Sequence, residues 1–159
     1  MLRAMPATPS PGQARAGHLL MIGGAEDKLR QRQILARFVA LAGGSDARIV
    51  IISTASSLGD EATELYLSLF RQMGIGDVRG MRPLVRDDAN DRRLADQLND
   101  ATGLFLTGGN QLRLASVIGG TLLGRTLAER HRQGAIVAGT SAGASALAAH
   151  MVAFGTSGA

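Results

Sequence analysis

Apolar and polar positions along this chain follow a repeating order. A short unbroken apolar run comes first, then a turn of small residues, then a longer stretch with apolar positions at helical spacing. The runs are His18-Leu19-Leu20-Met21-Ile22, Arg48-Ile49-Val50-Ile51-Ile52-Ser53, Gly103-Leu104-Phe105-Leu106-Thr107 and Ala135-Ile136-Val137-Ala138. None alternates as a half-solvated strand would, so each predicts a strand buried on both faces. A weaker run from Val78 to Val85 is broken by Gly80 and Pro83, which predicts a strand nearer a sheet edge. Helical spacing is carried by Leu29, Ile34, Leu35, Phe38, Val39 and Leu41, and then by Leu65, Leu69, Phe70 and Met73 after Asp60. A short helix with Leu94, Ala95 and Leu98 is expected next, and later ones through Leu112 to Val117 and Thr121 to Gln133. Gly43-Gly44, Gly74, Gly119-Gly120 and Gly134 stand where these helices should stop.

Five strand–helix units of this kind predict an α/β fold, a three-layer, doubly wound, mostly parallel sheet with helices on both faces. Residues 1–16 hold Pro6, Pro9 and Pro11 among small and polar residues and read as a disordered leader. They lack the apolar segment of a secretory signal. The α/β domain is therefore expected over residues 17–159.

Composition narrows the picture. At 159 residues and 16.5 kDa the chain makes at most one domain. Its 21 glycines, roughly twice ordinary usage, suit many tight strand-to-helix turns. With aromatics at 3%, the core is expected to consist of Ala, Val, Ile and Leu. Cysteine is absent, which excludes disulfides, a thiol nucleophile and thiolate metal sites, and fits a reducing compartment. No apolar run approaches the ~20 residues of a membrane span. A cytoplasmic protein is the expectation. The net charge of +4 raises nucleic acid as a partner, but the basic residues are scattered and only Tyr66 and four Phe could stack on bases. Nucleic acid is set aside. Lys28 is the only lysine, so the charge reflects a preference for arginine. Asp87-Asp88-Ala89-Asn90-Asp91 predicts an acidic turn that caps the next helix, in preference to a cation site.

Ligands of such sheets bind beyond the carboxyl ends of the strands. Three unusual loops fall there. Gly139-Thr140-Ser141-Ala142-Gly143 follows the last strand and has the G-x-S-x-G pattern of a nucleophile elbow, which lifts a serine hydroxyl clear of the strand end. Its glycines suit a hard bend where a Cβ would crowd the neighbouring strand and helix. The alternative is a plain turn with Ser141 as an N-cap. Gly108-Gly109-Asn110-Gln111 follows the fourth strand, and Gly23-Gly24-Ala25-Glu26-Asp27-Lys28 the first. A tetrahedral intermediate needs backbone N–H donors, for which Ala142 and Gly109 are the candidates. Asn110 and Gln111 could bind substrate, or cap a helix and face solvent. Gly23-Gly24 belongs to neither G-x-G-x-x-G nor a P-loop, so no nucleotide cofactor is expected.

These three loops, read together and in this order, resemble the cyanophycinase family of serine peptidases, relatives of aspartyl dipeptidase E. The likeness runs from residue 17 onward. It implies a class I glutamine-amidotransferase-like fold and a peptide partner. It also implies hydrolysis of cyanophycin, a poly-aspartate bearing arginine on its side-chain carboxyls, to β-aspartyl-arginine dipeptides. The nucleophile would be Ser141, with substrate contact at Gln111. Neither metal nor organic cofactor is implied, and a homodimer is left open.

A serine nucleophile needs a general base within hydrogen-bond reach. On a continuous helix His150 would lie ~13 Å from Ser141. His18 begins its strand, ~13–17 Å from the active edge. His131 ends the helix that leads into the elbow strand. None is placed to serve. The family keeps its acid and histidine downstream of the serine, so the chain reads as a truncated N-terminal portion, inactive alone, with base and acid beyond residue 159. An aspartyl dipeptidase of the same superfamily, or an inactive fragment or peptide-binding pseudoenzyme, are the rival readings.

Overall fold

The computed structural model describes residues 15–23 and 32–152. The Ala25-Glu26-Asp27-Lys28 motif, nearly all of the expected leader and the stretch from residue 153 lie outside the described residues. Five strands, β1 (Leu19–Ile22), β2 (Arg48–Ile52), β3 (Asp77–Met81), β4 (Gly103–Leu106) and β5 (Ile136–Thr140), form one all-parallel sheet. Their order is β1-β5-β4-β2-β3. The strand broken by Gly80 is indeed an edge.

Alternating side chains sort the strands into two cores, as two-sided burial requires. Ile49, Ile51, Phe105, Ile136 and Ala138 face helices α1 (Gln33–Ala42) and α2 (Asp60–Gln72). Val50, Ile52, Leu104, Leu106 and Val137 face the other side. There they meet α4 (Arg92–Asp96), α5 (Gln111–Ile118), α6 (Leu122–Arg132) and α7 (Ala142–Ala146). The connections after β1 and β2 step one way across the sheet, and those after β3 and β4 step back. With crossovers of one hand, that reversal places the two sets of helices on opposite faces.

Four expectations need correction. The first strand is not buried on both faces, because β1 is the other edge of the sheet and Leu19 and Met21 are exposed there. The core is not purely aliphatic, because four of the five aromatic residues gather on one face. Phe38 lies 5.5 Å and Tyr66 4.8 Å from Phe105, ring centre to ring centre, with Phe70 beside them. The acidic segment is not all turn. Arg86–Asn90 forms a short helix, α3, because the Asp88 carboxylate accepts the Leu84 and Val85 N–H groups and Ala89 is buried. Asp91 then caps α4 by accepting from the Arg93 N–H, as expected of an N-cap. Helix α7 stops at Ala146, so the distance drawn to His150 along a continuous helix does not apply.

Candidate active site

Strand order gathers the elbow and its neighbours. β5 lies between β1 and β4, so the turn at Ser141 is flanked by the chain leaving β1 at Gly23 and by the Gly108-Gly109 loop leaving β4. The Ser141 N–H donates to the Ile22 carbonyl of β1 at 2.9 Å, which ties the elbow to the sheet edge. On the other side, a Cβ at Gly108 would sit 3.4 Å from the Ser141 Cβ. All three strands deliver their loops to one place.

The bend is as tight as its glycines imply. A Cβ on Gly139 would overlap the Gly143 carbonyl and lie 2.7 Å from the Ala144 nitrogen. A Cβ on Gly143 would overlap the Leu106 carbonyl of β4, with the carbonyl carbon 2.8 Å away. Both clashes are with backbone, which cannot swing aside. Between these two contacts Ser141 is exposed and adopts φ 50° and ψ −111°, a left-handed backbone conformation that costs a residue with a Cβ about 1–3 kcal/mol. Ser141 does stand at the N-cap position of α7, yet its side chain makes no capping hydrogen bond. An ordinary cap has an extended backbone and spends its oxygen on the helix. Ser141 does neither.

The β4 loop is braced from a direction that the linear sequence hides. The Asn110 N–H donates to the Ala55 carbonyl at 2.8 Å, and Gly109, at φ 139°, leaves no room for a Cβ against that same carbonyl. Ala55 belongs to the connection after β2, where Ser53, Thr54 and Ser56 are also buried. The Ser53 hydroxyl pairs with Thr63 at 2.6 Å, and the Thr54 hydroxyl donates to the Pro83 carbonyl at 3.0 Å. The small size of Thr54-Ala55-Ser56 was the available signal of close approach. Among the described residues, neither the Gly109 nor the Ala142 N–H has an acceptor. Thr107, just past β4, keeps its Oγ1 buried with no hydrogen-bond partner among the described residues.

The other candidates divide. Asn110 spends its side-chain oxygen on the Arg113 N–H at 3.0 Å, capping α5. Gln111 is partly exposed, and its Nε2 donates to the Val152 carbonyl at 3.2 Å. His131 is at the opposite edge of the sheet, where its Nε2 lies 2.8 Å from the Gly17 carbonyl oxygen. His18 precedes β1 at that same edge, and His150 is exposed beyond α7. No histidine hydrogen-bonds to Ser141 among the described residues. A cavity of about 480 Å³ lies behind the elbow, walled by Leu106, Leu114, Leu147 and Met151, and Ser141 takes no part in it. Among the described residues no group of three acidic or histidine side chains is placed to hold a metal ion. No described helix is long and apolar enough to cross a membrane.

The comparison with known proteins agrees with this layout. The model of peptidase family S51 matches residues 19–158. The chain belongs to peptidase family S51. Curated relatives include a cyanophycinase of Geminocystis herdmanii, 39% identical over 88% of this chain and 52% of its own length. Another, from Synechococcus elongatus, is 40% identical over 99% of this chain and 50% of its own. The chain therefore spans about half the length of the curated relatives it matches. A crystal structure of a peptidase from an acI-B1 Actinobacterium superposes with a TM-score of 0.73, covering 87% of this chain and 59% of that one. At 24% identity, that likeness establishes the shared α/β fold.

Proposed function

We propose that the chain supplies the nucleophilic half of a serine peptidase active site that hydrolyses cyanophycin to β-aspartyl-arginine dipeptides. The observation that carries this is the backbone of Ser141, held at φ 50° between two glycines packed against backbone, with its side chain left out of capping. Strain of this kind persists where the surroundings impose it, and active sites are where it collects. In this reading the Ser141 Oγ attacks the scissile carbonyl and the Ala142 and Gly109 N–H groups receive the oxyanion. Asn110 and Gln111 lie on the substrate side of the same loop. The base that accepts the serine proton, and the acid that orients it, come from polypeptide beyond residue 159. Two things support that reading: no histidine hydrogen-bonds to Ser141 among the described residues, and the relatives are about twice as long. Cyanophycin as substrate is carried over from the names of those relatives.

The test is cyanophycin digestion by the polypeptide at the length of its relatives, with an Asp-X dipeptide as competing substrate. Release of β-aspartyl-arginine is expected, and Ser141→Ala should abolish it. The 159-residue chain should show no turnover. Activity that survives Ser141→Ala would remove the nucleophile from this assignment. Preference for the dipeptide would move the substrate to the aspartyl dipeptidase class.

A further inference from the structure

Ser145 lies one turn beyond the nucleophile on α7. Its backbone N–H donates to the Ser141 carbonyl at 3.0 Å, and its Oγ donates to that same oxygen at 3.3 Å. The first is the ordinary helical bond. The second is a side chain bonding back to the carbonyl four residues earlier, as serine in a helix can do. What sets this instance apart is the identity of the carbonyl. The Ser141 C=O and the Ala142 N–H belong to one peptide group. No described peptide is cis, so the two bonds of this planar unit point in opposite directions. Holding the carbonyl from one side aims the N–H to the other.

We propose that Ser145 is a positioning residue for the oxyanion donor, its hydroxyl fixing and polarising the Ser141–Ala142 peptide whose N–H faces the reacting carbonyl. This rests on the serine-peptidase reading above and adds a residue to it. Two consequences follow from the bond. The first is angular. Ser141 occupies a strained backbone well, and a peptide in such a well can rock, so a second hydrogen bond to its carbonyl narrows the direction of the Ala142 N–H. The second is electronic. Hydrogen bonds in a chain polarise one another, so a carbonyl that accepts two donors makes its own amide a stronger donor. Neither effect touches substrate in the ground state, because the oxyanion exists only once the nucleophile has added.

The experiment compares Ser145→Ala and Ser145→Thr in the polypeptide at the length of its relatives. Alanine is the better helix former, so the fold of α7 is not put at risk. Ser145→Ala should lower kcat about fivefold, as expected for loss of one modest hydrogen bond, with KM little changed. Ser145→Thr keeps the hydroxyl and should restore most of the rate. Unchanged kcat in Ser145→Ala, an equal loss in both variants, or a loss confined to KM would each overturn the proposal. A measurement that needs no turnover runs beside it on the 159-residue chain: the amide proton of Ala142, assigned by nuclear magnetic resonance. Its resonance should move upfield in Ser145→Ala and return in Ser145→Thr, and an unmoved resonance overturns the proposal. Failure of the wild type to hydrolyse cyanophycin would count against the serine-peptidase reading, and the amide measurement would then decide the role of Ser145.

Discussion

The two edges of this sheet differ in what they hold, a strained serine turn at one and paired charges at the other. At the carboxyl edge Ser141 is strained between Gly139 and Gly143, both packed against backbone, as Gly17 is against the Ala135 carbonyl at the amino edge. At the amino edge the charges are closed into pairs. Arg79 meets Asp77 at 3.1 Å and Asp100 at 2.9 Å, and the Arg48 Nε donates to the Asp100 backbone carbonyl at 2.6 Å. His131 and Gly17 bond reciprocally, with the Gly17 N–H donating to the His131 carbonyl at 2.7 Å. One strand set produces both edges, so the strain is not a general property of the fold. At the carboxyl edge it falls on Ser141, a residue with a side chain, whereas the tight positions of the amino edge, Gly17 and Gly134, are glycines.

The contrast breaks most visibly at the elbow glycines. Gly139→Ala and Gly143→Ala each place a methyl into backbone of the neighbouring element, and each should destabilise the fold by about 3 kcal/mol in denaturant unfolding. Loss of well under 1 kcal/mol would mean that β5 and α7 are more loosely packed than these contacts require. A change of opposite sign is expected midway between the two glycines, at Ser141. Ser141→Gly removes the Cβ from a left-handed backbone and should raise stability by about 1 kcal/mol while removing the proposed nucleophile. The two results together would show strain held at Ser141 by rigid neighbours. A less stable Ser141→Gly would show that no strain is stored there.

Much of this arrangement could be read along the chain. The β-branched run Arg48–Ile52 can be little but a buried strand, and Gly-Thr-Ser-Ala-Gly after an apolar run carries its own reason for bending. What could not be read depends on strand order. Ala55 supports Gly109 and Asn110 only because β2 lies beside β4, and nothing near residue 55 names that neighbour. Helix α3 was hidden for another reason. Arg86–Asn90 has a single buried residue, Ala89, too little for a periodic pattern, and depends on Asp88 reaching back to the Leu84 and Val85 N–H groups. Asn110 had two readings in the sequence, a cap or a substrate contact, and its side-chain oxygen does cap α5 by accepting from the Arg113 N–H. The role of Ser145 was legible only after Ser141 and its carbonyl had positions.

The smallest expected effect sharpens the comparison from the amino edge. Stability there is carried by charge, so it should respond to pH in a way that steric strain at Ser141 cannot. A hydrogen bond from the Arg79 guanidinium, aided by the positive charges of Arg79 and Arg48, holds the Asp100 carboxyl below the usual carboxylate range. A carboxyl whose pKa is lower in the folded state stabilises the fold fully above its unfolded value, about 3.9. That contribution fades as pH falls through the lower folded value. The Asp100 side chain is 57% exposed, so solvent screens the pair and the effect is small. Asp100→Asn should lower the melting temperature by about 1 °C at neutral pH. The gap from wild type should close as the pH is taken below 4, while the increment from Ser141→Gly stays constant. A gap for Asp100→Asn that persists in acid would mean that its carboxylate charge contributes nothing, and that the amino edge, like the carboxyl edge, is held by packing.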